Sequence, residues 1–279
     1  MIYKVAPFLT FHLFIFYFCK MSTVRAKKHL GQHFLNDKNA AQKIVEALDP
    51  KLGFSQVLEV GPGMGVLSDF LLQKEEYETY LIDVDDESIA YLDDKYPQLG
   101  KRLIHGDFLN LDFSQYFGEK MAVIGNFPYN ISSQILFKIL DERQRVVQMT
   151  GMFQKEVAER CTAKAGSKEY GILSVFLQAY YKVEYLFTVK AGAFNPPPKV
   201  LSGVIRMTRN EREQLNCDEK LFWRVVKAGF NQRRKTLRNS LSGVVPKDKM
   251  SDNPLYELRA ERLTVDNFIS LTNEITNSL

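Results

Sequence analysis

The chain has 279 residues, of which 45% are hydrophobic and 12% aromatic, so it can bury a large core and is neither disordered nor fibrous. Lys and Arg number 37 against 33 Asp and Glu, so any nucleic-acid binding must depend on local basic clusters rather than on overall charge. Cys19, Cys161 and Cys217 have no spacing typical of a zinc site or a disulfide framework, which predicts a reducing compartment and no metal.

The first twenty residues differ from the rest of the chain. Residues 6–19 are almost continuously apolar and rich in phenylalanine. The run is shorter than the ~20 apolar residues that span a bilayer, and no small-residue cleavage site follows, so a signal peptide is the less favoured alternative. We interpret residues 1–20 as translated upstream sequence and Met21 as the natural start, and we expect no stable membrane association.

From residue 37 onward, helical and strand periodicities alternate. This alternation predicts an α/β domain with a mostly parallel, Rossmann-like sheet of seven strands. Asp37 is the predicted N-cap of an amphipathic helix that reaches Leu48, and a glycine-rich turn after the first strand opens a second helix. The predicted parallel strands are 56–60, 80–84, 102–104, 121–124 and 146–149.

The last two predicted strands, 182–190 and 200–208, form an antiparallel pair that closes the sheet, and the proline-rich turn 195–199 joins them. Beyond this pair the strand patterns stop, and 221–230, 232–242 and 264–277 are predicted helices. We therefore predict a Rossmann-like α/β domain over residues 21–208 and a small all-α domain over residues 209–279.

The turn at 59–65, with the sequence EVGPGMG, follows the first predicted strand. Its small residues let the backbone approach a ligand closely, and the helix that follows presents free N–H groups. A dinucleotide fold would show GxGxxG. The GxGxG spacing, with an acidic residue two positions earlier, is usual in Rossmann-like methyltransferases and favours S-adenosylmethionine over NAD, with Gly61 and Gly63 as contacts. The alternative is a turn that only connects a strand to a helix.

Two carboxylates at strand ends support this interpretation. Asp83 closes the second predicted strand, where it can accept hydrogen bonds from both ribose hydroxyls of an adenosyl group. Asp107 follows the third strand and is predicted to accept a hydrogen bond from the cofactor's adenine amino group, while Phe108 packs beside the ring. Either residue alone is better explained as a solvated strand-end or cap residue, but their joint placement after successive strands favours a cofactor site.

The segment Asn126-Phe127-Pro128-Tyr129, after the fourth predicted strand, suggests a site for an exocyclic amine. The N6 lone pair of adenine is delocalised into the ring, so an enzyme must hold the amine as a hydrogen-bond donor. The Asn126 side-chain oxygen and the backbone carbonyl of Phe127 or Pro128 are predicted to accept its two N–H groups, while Tyr129 stacks on a flipped base. No strong base is needed, because the product amine is acidic enough to lose its proton to water. The alternative is an ordinary turn after a strand.

Five motifs together closely resemble the ribosomal RNA adenine dimethyltransferases, and among them the bacterial small-subunit branch. They occur in the expected order from about residue 26 to the C-terminus. They are GQHFLND at 31–37, the glycine turn, NFPYN at 126–130, FNPPPKV at 194–200 and NQRRKTLRN at 231–239. The resemblance implies a class I methyltransferase that transfers four methyl groups from S-adenosylmethionine to two adjacent adenosines in a hairpin near the 3′ end of small-subunit (16S) rRNA, with a role in late subunit assembly.

The resemblance also implies roles for single residues. His33 and Leu35 would cover the cofactor, and Phe194 would form the second wall of the adenine pocket, opposite Tyr129. The implied cofactor contacts are His33, Leu35, Gly61, Gly63, Asp83, Asp107 and Asn126. The implied catalytic residues are Asn126, Pro128, Tyr129 and Phe194.

Three positions depart from the commonest pattern of the family. Asp83 stands where glutamate is usual, and its shorter side chain would hold the ribose more loosely. Phe127 replaces a frequent leucine, which we expect to matter little because the backbone carbonyl is the functional group. His33 occupies a position where asparagine or histidine is found. None of these changes argues against catalysis.

Two basic clusters are the predicted RNA contacts. The first lies at residues 25–28, before the first predicted helix, and the second lies in the helix predicted at 232–242, at spacings that place several side chains on one face. Phosphate contacts position RNA without reading its sequence. Because the second cluster lies in the C-terminal helical domain, RNA or ribosome binding is assigned to residues 209–279. An ordinary solvated helix face is the alternative. The predicted contacts are Arg25, Lys27, Lys28, Arg233, Arg234, Lys235 and Arg238.

Other functions remain as alternatives. The large-subunit rRNA methyltransferases that confer antibiotic resistance share the cofactor motifs, but 233–239 resembles the small-subunit branch. A DNA adenine methyltransferase would usually have a second proline after the catalytic asparagine and a separate target-recognition region, and neither feature is obvious in this sequence. A non-catalytic assembly or transcription factor could keep the fold, although intact Asp83, Asp107 and Asn126 disfavour a degenerate site. We expect a cytoplasmic monomer.

Overall fold

The computed structural model describes residues 24–278, so the interpretation of residues 1–20 lies outside the described residues. The strands are β1 (Phe34–Leu35), β2 (Gln56–Val60), β3 (Glu78–Asp83), β4 (Leu103–His105), β5 (Met121–Asn126), β6 (Val146–Gln154), β7 (Tyr181–Val189), β8 (Phe194–Asn195) and β9 (Ser202–Arg209). The α-helices are α1 (Lys38–Glu46), α2 (Ser68–Leu71), α3 (Asp86–Lys95), α4 (Ser132–Asp141), α5 (Lys155–Thr162), α6 (Ile172–Tyr180), α7 (Glu219–Asn231), α8 (Leu237–Ser240) and α9 (Val265–Ser278). No helix of residues 24–278 is both long and apolar enough to cross a bilayer.

Seven strands form one sheet in the order β4-β3-β2-β5-β6-β9-β7. The strands from β4 to β6 are parallel, and β9 runs antiparallel to both β6 and β7. The mostly parallel seven-stranded sheet with an antiparallel closing pair is therefore confirmed. The chain moves from β2 outward to β3 and β4 and then returns to β5 on the other side of β2, which makes a topological switch point at β2 and β5.

Local sequence explains the first elements well. Asp37 caps α1, because its side chain accepts a hydrogen bond from Ala40 N at 3.0 Å. This helix ends at Glu46, two residues before the predicted end. Strand β2 has the predicted bounds, and the residues from Val57 to Val60 are buried, as expected for a strand covered by helices on both faces. Strand β3 covers Glu78–Asp83, so it begins two residues before the predicted strand 80–84 and ends one residue before its predicted end.

The predicted helix at 232–242 is wrong over most of its length. After α7 the backbone leaves helical geometry at Gln232 (φ −119°, ψ 49°), and Thr236 is extended (φ −67°, ψ 157°). Only Leu237–Ser240 is helical in this segment. The basic residues 233–235 therefore lie on a turn between α7 and α8 and do not share a helix face.

The C-terminal helices share a hydrophobic core with the sheet. The rings of Phe176 on α6 and Trp223 on α7 have centroids 3.7 Å apart. One cluster of buried side chains joins Met149 on β6 to Phe268 on α9. The boundary at residues 208 and 209 stays a prediction, but the segments on either side of it pack together.

Candidate active site

A cleft lies at the carboxyl ends of β2, β3 and β5, at the switch point of the sheet. Open α/β sheets bind ligands at this edge. Backbone hydrogen bonds connect the loops of the cleft: Gly61 N donates to Ile82 O at 2.9 Å, and Gly106 N donates to Asp83 O at 3.0 Å. The predicted site residues that line the cleft are His33, Gly61, Gly63, Asp83, Asp107, Asn126, Pro128 and Tyr129.

The ring of Phe34 packs directly against the backbone of the glycine turn. A Cβ atom at Gly63 would lie 2.7 Å from two carbons of that ring, and Gly63 has a φ of +56°. Both the contact and the left-handed backbone therefore require glycine. The sequence predicted a close approach of ligand to this turn, but it carried no signal that Phe34 packs there.

Asp83 is a buried acceptor at the end of β3. One of its oxygens accepts from Asp85 N at 2.9 Å, and the other accepts from Gly63 N at 3.3 Å. Burial raises the pKa of Asp83, while these backbone N–H groups lower it. Each carboxylate oxygen keeps acceptor capacity beyond one bond, so Asp83 can accept further hydrogen bonds from a ligand in the cleft.

Asp107 is a cap residue that also lines the cleft. Its side chain caps a short 3-10 turn by accepting from Leu109 N at 2.9 Å, and it accepts from Asn110 Nδ2 at 2.8 Å. The residue is exposed and lines the cleft beside Val84, whose side chain is also exposed. Asp107 is therefore held in place as a cap at the edge of the cleft, and its role as an acceptor for the cofactor stays a prediction.

The orientation of the Asn126 amide follows from one backbone contact. Its Nδ2 donates to the backbone oxygen of His33 at 2.8 Å. A carbonyl oxygen only accepts, so the amide nitrogen must face His33 and Oδ1 must face away. Within residues 24–278 no donor reaches Asn126 Oδ1. This oxygen is available to a donor in the cleft.

The backbone next to Asn126 offers a second acceptor. Pro128 O already accepts from Ile131 N at 3.3 Å and from Ser132 Oγ at 3.4 Å at the start of α4. No donor within residues 24–278 bonds to Phe127 O. The sequence left the choice between these carbonyls open, and the structure favours Phe127.

The Phe127 side chain anchors this segment in the core. Its ring is 1% exposed, and its centroid lies 4.8 Å from that of Phe153. Gly125 and Gly151 make room for it, since a Cβ atom at Gly151 would overlap the ring. Phe127 N also donates to Met152 O at 3.1 Å. The exchange of leucine for phenylalanine is thus accommodated by β6, which the sequence did not indicate.

Tyr129 is held from two sides. Its hydroxyl lies 2.5 Å from the hydroxyl of Ser202 on β9, and its ring centroid lies 5.5 Å from that of His33. His33 Nδ1 in turn lies 2.8 Å from Pro196 O. Sequence reasoning missed Ser202, because a lone serine in a strand carries no signal of its own.

Two predicted residues lie behind the cleft rather than in its wall. Strand β1 pairs antiparallel with β8, which places Leu35 opposite Phe194. Both side chains are buried in a core cluster with Ile124 and Val204. This pairing anchors the segment that carries His33, and the proposed role of Phe194 opposite Tyr129 stays a prediction.

The predicted RNA contacts fall into two groups. Lys27 pairs with Asp85 and lies 3.3 Å from Glu87, Arg233 donates to the backbone oxygens of Lys168 and Tyr170, and Arg238 Nε lies 2.6 Å from Glu257. These three basic groups are occupied within the chain. Among the described residues no carboxylate pairs with the other predicted contacts, Arg25, Lys28, Arg234 and Lys235, whose side chains are exposed.

Glu59 is an unpredicted buried acid below the glycine turn. It is 1% exposed, and one oxygen accepts from Ser68 Oγ at 2.6 Å. The other oxygen has no partner among residues 24–278. Burial raises the pKa of Glu59 to about 8. The acidic position of the glycine motif was visible in the sequence, but its burial was not.

A family model described as ribosomal RNA adenine dimethylase matches residues 23–277. The ribosomal RNA small subunit methyltransferase A of Cytophaga hutchinsonii is 56% identical over 256 residues, which cover 92% of this chain and 99% of that protein. The protein of the same name from Bacteroides thetaiotaomicron is 54% identical over 263 residues, with coverages of 93% and 97%.

Solved structures agree with these relatives. A dimethyladenosine transferase from Plasmodium falciparum superposes with a TM-score of 0.74 at 26% identity, covering 88% of this chain and 98% of that one. The 23S rRNA methyltransferase ErmE matches with a TM-score of 0.69 at 22% identity, covering 87% and 99%, which shows a shared fold. The predicted fold, enzyme class and family are confirmed: the chain belongs to the ribosomal RNA adenine dimethylase family.

Proposed function

We propose that this enzyme dimethylates N6 of two adjacent adenosines in a hairpin near the 3′ end of small-subunit (16S) rRNA and thereby contributes to small-subunit assembly. The observation that carries the proposal is the pair of open acceptors at Asn126 Oδ1 and Phe127 O. An adenine amino group has two N–H donors, and two acceptors on one wall of a cleft match it. The relatives named small subunit methyltransferase A support the choice of subunit.

The cleft also fits S-adenosylmethionine. The glycine turn lines the cleft with Gly61 and Gly63, whose backbone a ligand can approach closely. Asp83 supplies carboxylate oxygens for ribose hydroxyls, and Asp107 supplies an acceptor for the adenine amino group. Val84 is 54% exposed in the cleft, where it offers an apolar surface to the adenine face. When bound, S-adenosylmethionine supplies an electrophilic methyl group on a sulfonium.

The residues of the chain then orient the amine. Asn126 Oδ1 and Phe127 O accept its N–H groups and direct the nitrogen lone pair out of conjugation. With S-adenosylmethionine bound, the oriented nitrogen would attack its methyl carbon, and the electron pair of the broken C–S bond would stay on sulfur. The N–H proton leaves to water, so no side chain has to act as a strong base. Tyr129 is the stacking surface for the flipped base, which is worth ~1–3 kcal/mol at such sites.

Exposed basic side chains in two segments of the chain support RNA binding. Lys28 and Arg25 precede the segment that lines the cleft, and Arg234 and Lys235 project from the turn between α7 and α8. Phosphate contacts of this kind position RNA without reading its sequence. We further infer that the enzyme acts as a monomer in the cytoplasm, where ribosomal subunits are assembled.

The test is transfer of labelled methyl groups from S-adenosylmethionine to purified small subunits that lack dimethyladenosine. Wild type is compared with Asn126→Ala and with Asn39→Ala, a control at an exposed position on α1. Loss of the Asn126 acceptor should lower the rate by about 100-fold or more, as for other preorganised polar groups at a reaction centre. Nuclease digestion should locate N6,N6-dimethyladenosine at two adjacent positions.

Three results would contradict the proposal. An unchanged rate of methyl transfer in Asn126→Ala would show that Asn126 is not a catalytic residue. Label found only in large-subunit RNA would change the substrate. Binding of S-adenosylmethionine without transfer to small subunits, large subunits or DNA would favour the non-catalytic assembly factor.

A further inference from the structure

The segment 27–35, here called the N-terminal strap, covers one side of the candidate cofactor cleft. Five consecutive residues, from Leu30 to Phe34, line the cleft. The far end of the strap is fixed by the β1–β8 pairing and by the bond from Asn126 to His33 O. A ligand in the cleft therefore lies between the strap and the carboxyl edge of the sheet.

The near end of the strap is held by a single buried carboxylate, Asp85. Lys27 Nζ forms an ion pair with Asp85 Oδ1, and Gln32 Nε2 donates to Oδ2 at 3.1 Å. Lys27 N also donates to Gln32 Oε1 at 2.8 Å, which closes a small ring of contacts. The Asp85 side chain is 0% exposed, whereas that of Lys27 is 29% exposed.

Asp85 is joined to the proposed ribose acceptor. Its backbone N–H donates to Asp83 Oδ1 at 2.9 Å, and Asp83 Oδ2 accepts from Gly63 N. The contacts run without interruption from Lys27 through Asp85 and Asp83 to the glycine turn. The strap and the groups that would bind the cofactor are therefore linked through Asp85 and Asp83.

Lys27 supplies the only positive charge bonded to Asp85 among the described residues. The remaining donors to its side chain, from Gln32, Ser88 and the backbone of Glu87, are neutral. Burial would raise the pKa of Asp85, but its hydrogen bonds, of which those from Lys27 and Gln32 contribute most, together outweigh burial and lower the pKa. Removing one partner of such a pair leaves a buried charge uncompensated, which is strongly unfavourable.

We propose that Lys27 and Asp85 are positioning residues that latch the N-terminal strap over S-adenosylmethionine and so set the affinity and release rate of the cofactor. This inference rests on the proposed cofactor site and deepens it. Each methyl transfer requires exchange of the spent cofactor for a fresh one, and under this proposal opening of the strap controls the rate of that exchange. Lys27 is then a positioning residue for the cofactor, whereas the sequence suggested that it contacts RNA.

The test uses a double-mutant cycle of Lys27→Met, Asp85→Asn and both together, with Lys43→Met on α1 as the exposed control. Methionine keeps the aliphatic length of Lys27 without its charge. Asparagine at position 85 can still cap α3, a role that Asp85 fills by accepting from Glu87 N at 3.2 Å. Binding of S-adenosylmethionine and S-adenosylhomocysteine is measured by calorimetry and stopped flow, and opening of the strap by hydrogen exchange of residues 27–35.

Lys27→Met should weaken binding of both ligands by about tenfold, mainly through faster release, and speed hydrogen exchange in the strap. The double variant should bind more tightly than Lys27→Met alone, because asparagine removes the uncompensated charge. Small-subunit affinity should not change.

Other results would overturn the latch. If wild type and Lys27→Met have the same cofactor affinity and the same hydrogen-exchange rates in the strap, Lys27 and Asp85 do not position the strap. The proposed function would then still stand. If Lys27→Met binds small subunits more weakly but binds the cofactor as wild type does, Lys27 contacts RNA and does not latch the strap. Failure of wild type to bind S-adenosylmethionine would overturn the latch and the proposed function together.

Discussion

The Tyr129 hydroxyl lies 2.5 Å from the Ser202 hydroxyl, which ties the proposed stacking ring to strand β9. Ser202 is fully buried, and it pairs in register with Gln154 on β6 and Val189 on β7. The ring is therefore held by the antiparallel end of the sheet, although Tyr129 itself lies in a short 3-10 turn that follows the parallel strand β5.

We expect Ser202→Ala to lower the methyl-transfer rate about fivefold to tenfold, because it leaves a partly buried phenol without its partner at a cost of about 1–1.4 kcal/mol. Affinity for S-adenosylmethionine should be unchanged. Single-turnover rates at saturating small subunits measure the effect. In a Tyr129→Phe background the same substitution should have almost no effect. If the two substitutions are additive, Ser202 acts on something other than the Tyr129 hydroxyl.

A second prediction concerns the contact between Gly151 and Phe127. Gly151→Ala would place a methyl group in space that the Phe127 ring occupies, so the ring and the backbone beside Asn126 must move. We expect the free energy of unfolding to fall by about 1–3 kcal/mol, as for other overpacked cores, together with a lower methyl-transfer rate. Denaturant unfolding and the transfer assay check the two effects.

The matched variant is Gly151→Ala combined with Phe127→Leu. Leucine is smaller than phenylalanine and vacates the space that the added methyl group needs. The double variant should therefore recover stability and activity relative to Gly151→Ala alone. Wild-type behaviour of the single variant would mean that the Phe127 ring relaxes without moving the acceptor groups.

Sequence reasoning succeeded where the signal was local. A buried apolar run bounded by the glycine turn defined β2, and an acid at a strand end identified Asp83. Asn126 was found because four adjacent residues carried the pattern. In each case the functional group and the element that positions it are neighbours in the chain.

The rest of the site depends on contacts between distant residues. Lys27 and Asp85 are 58 positions apart, and Tyr129 and Ser202 are 73 apart. Nothing near Lys27 in the sequence indicates that a buried carboxylate neutralises it. The false helix at 232–242 has a related cause, because the good helix formers at 233–235 are overridden by the extended Thr236, after which Leu237 N bonds to Leu258 O.

A third prediction follows from the buried acid Glu59. Burial raises its pKa from the ordinary 4.5 to about 8 in the folded protein. Between these values the folded state binds more protons than the unfolded state, so this group's contribution to stability falls as the pH rises from about 4.5 to about 8. Glu59→Gln removes the titration but can still accept from Ser68.

The melting temperature of Glu59→Gln should therefore exceed that of wild type by about 3 °C or more at pH 9, and the difference should shrink towards pH 5. Calorimetric scans across this range give the comparison. A difference that does not depend on pH would show that Glu59 remains ionised in the folded protein.

The last prediction separates the basic residues that face solvent from those occupied within the chain. Arg234 and Lys235 are exposed on the turn between α7 and α8, whereas Arg233 bonds to two backbone oxygens. Charge reversal of Arg234 and Lys235 should weaken binding to small subunits. It should also reduce the slope of log K against log salt by about 1 for each phosphate that no longer binds a basic side chain. Affinity for S-adenosylmethionine should stay the same.

Reversal of Lys38 and Lys43, which are exposed on α1, is the control for net charge. Both double variants change the charge of the protein by the same amount, so they differ only in where the charge lies. An equal fall in affinity in both would mean that overall charge attracts the RNA, whereas a fall confined to the variant at residues 234 and 235 would place the RNA against this turn.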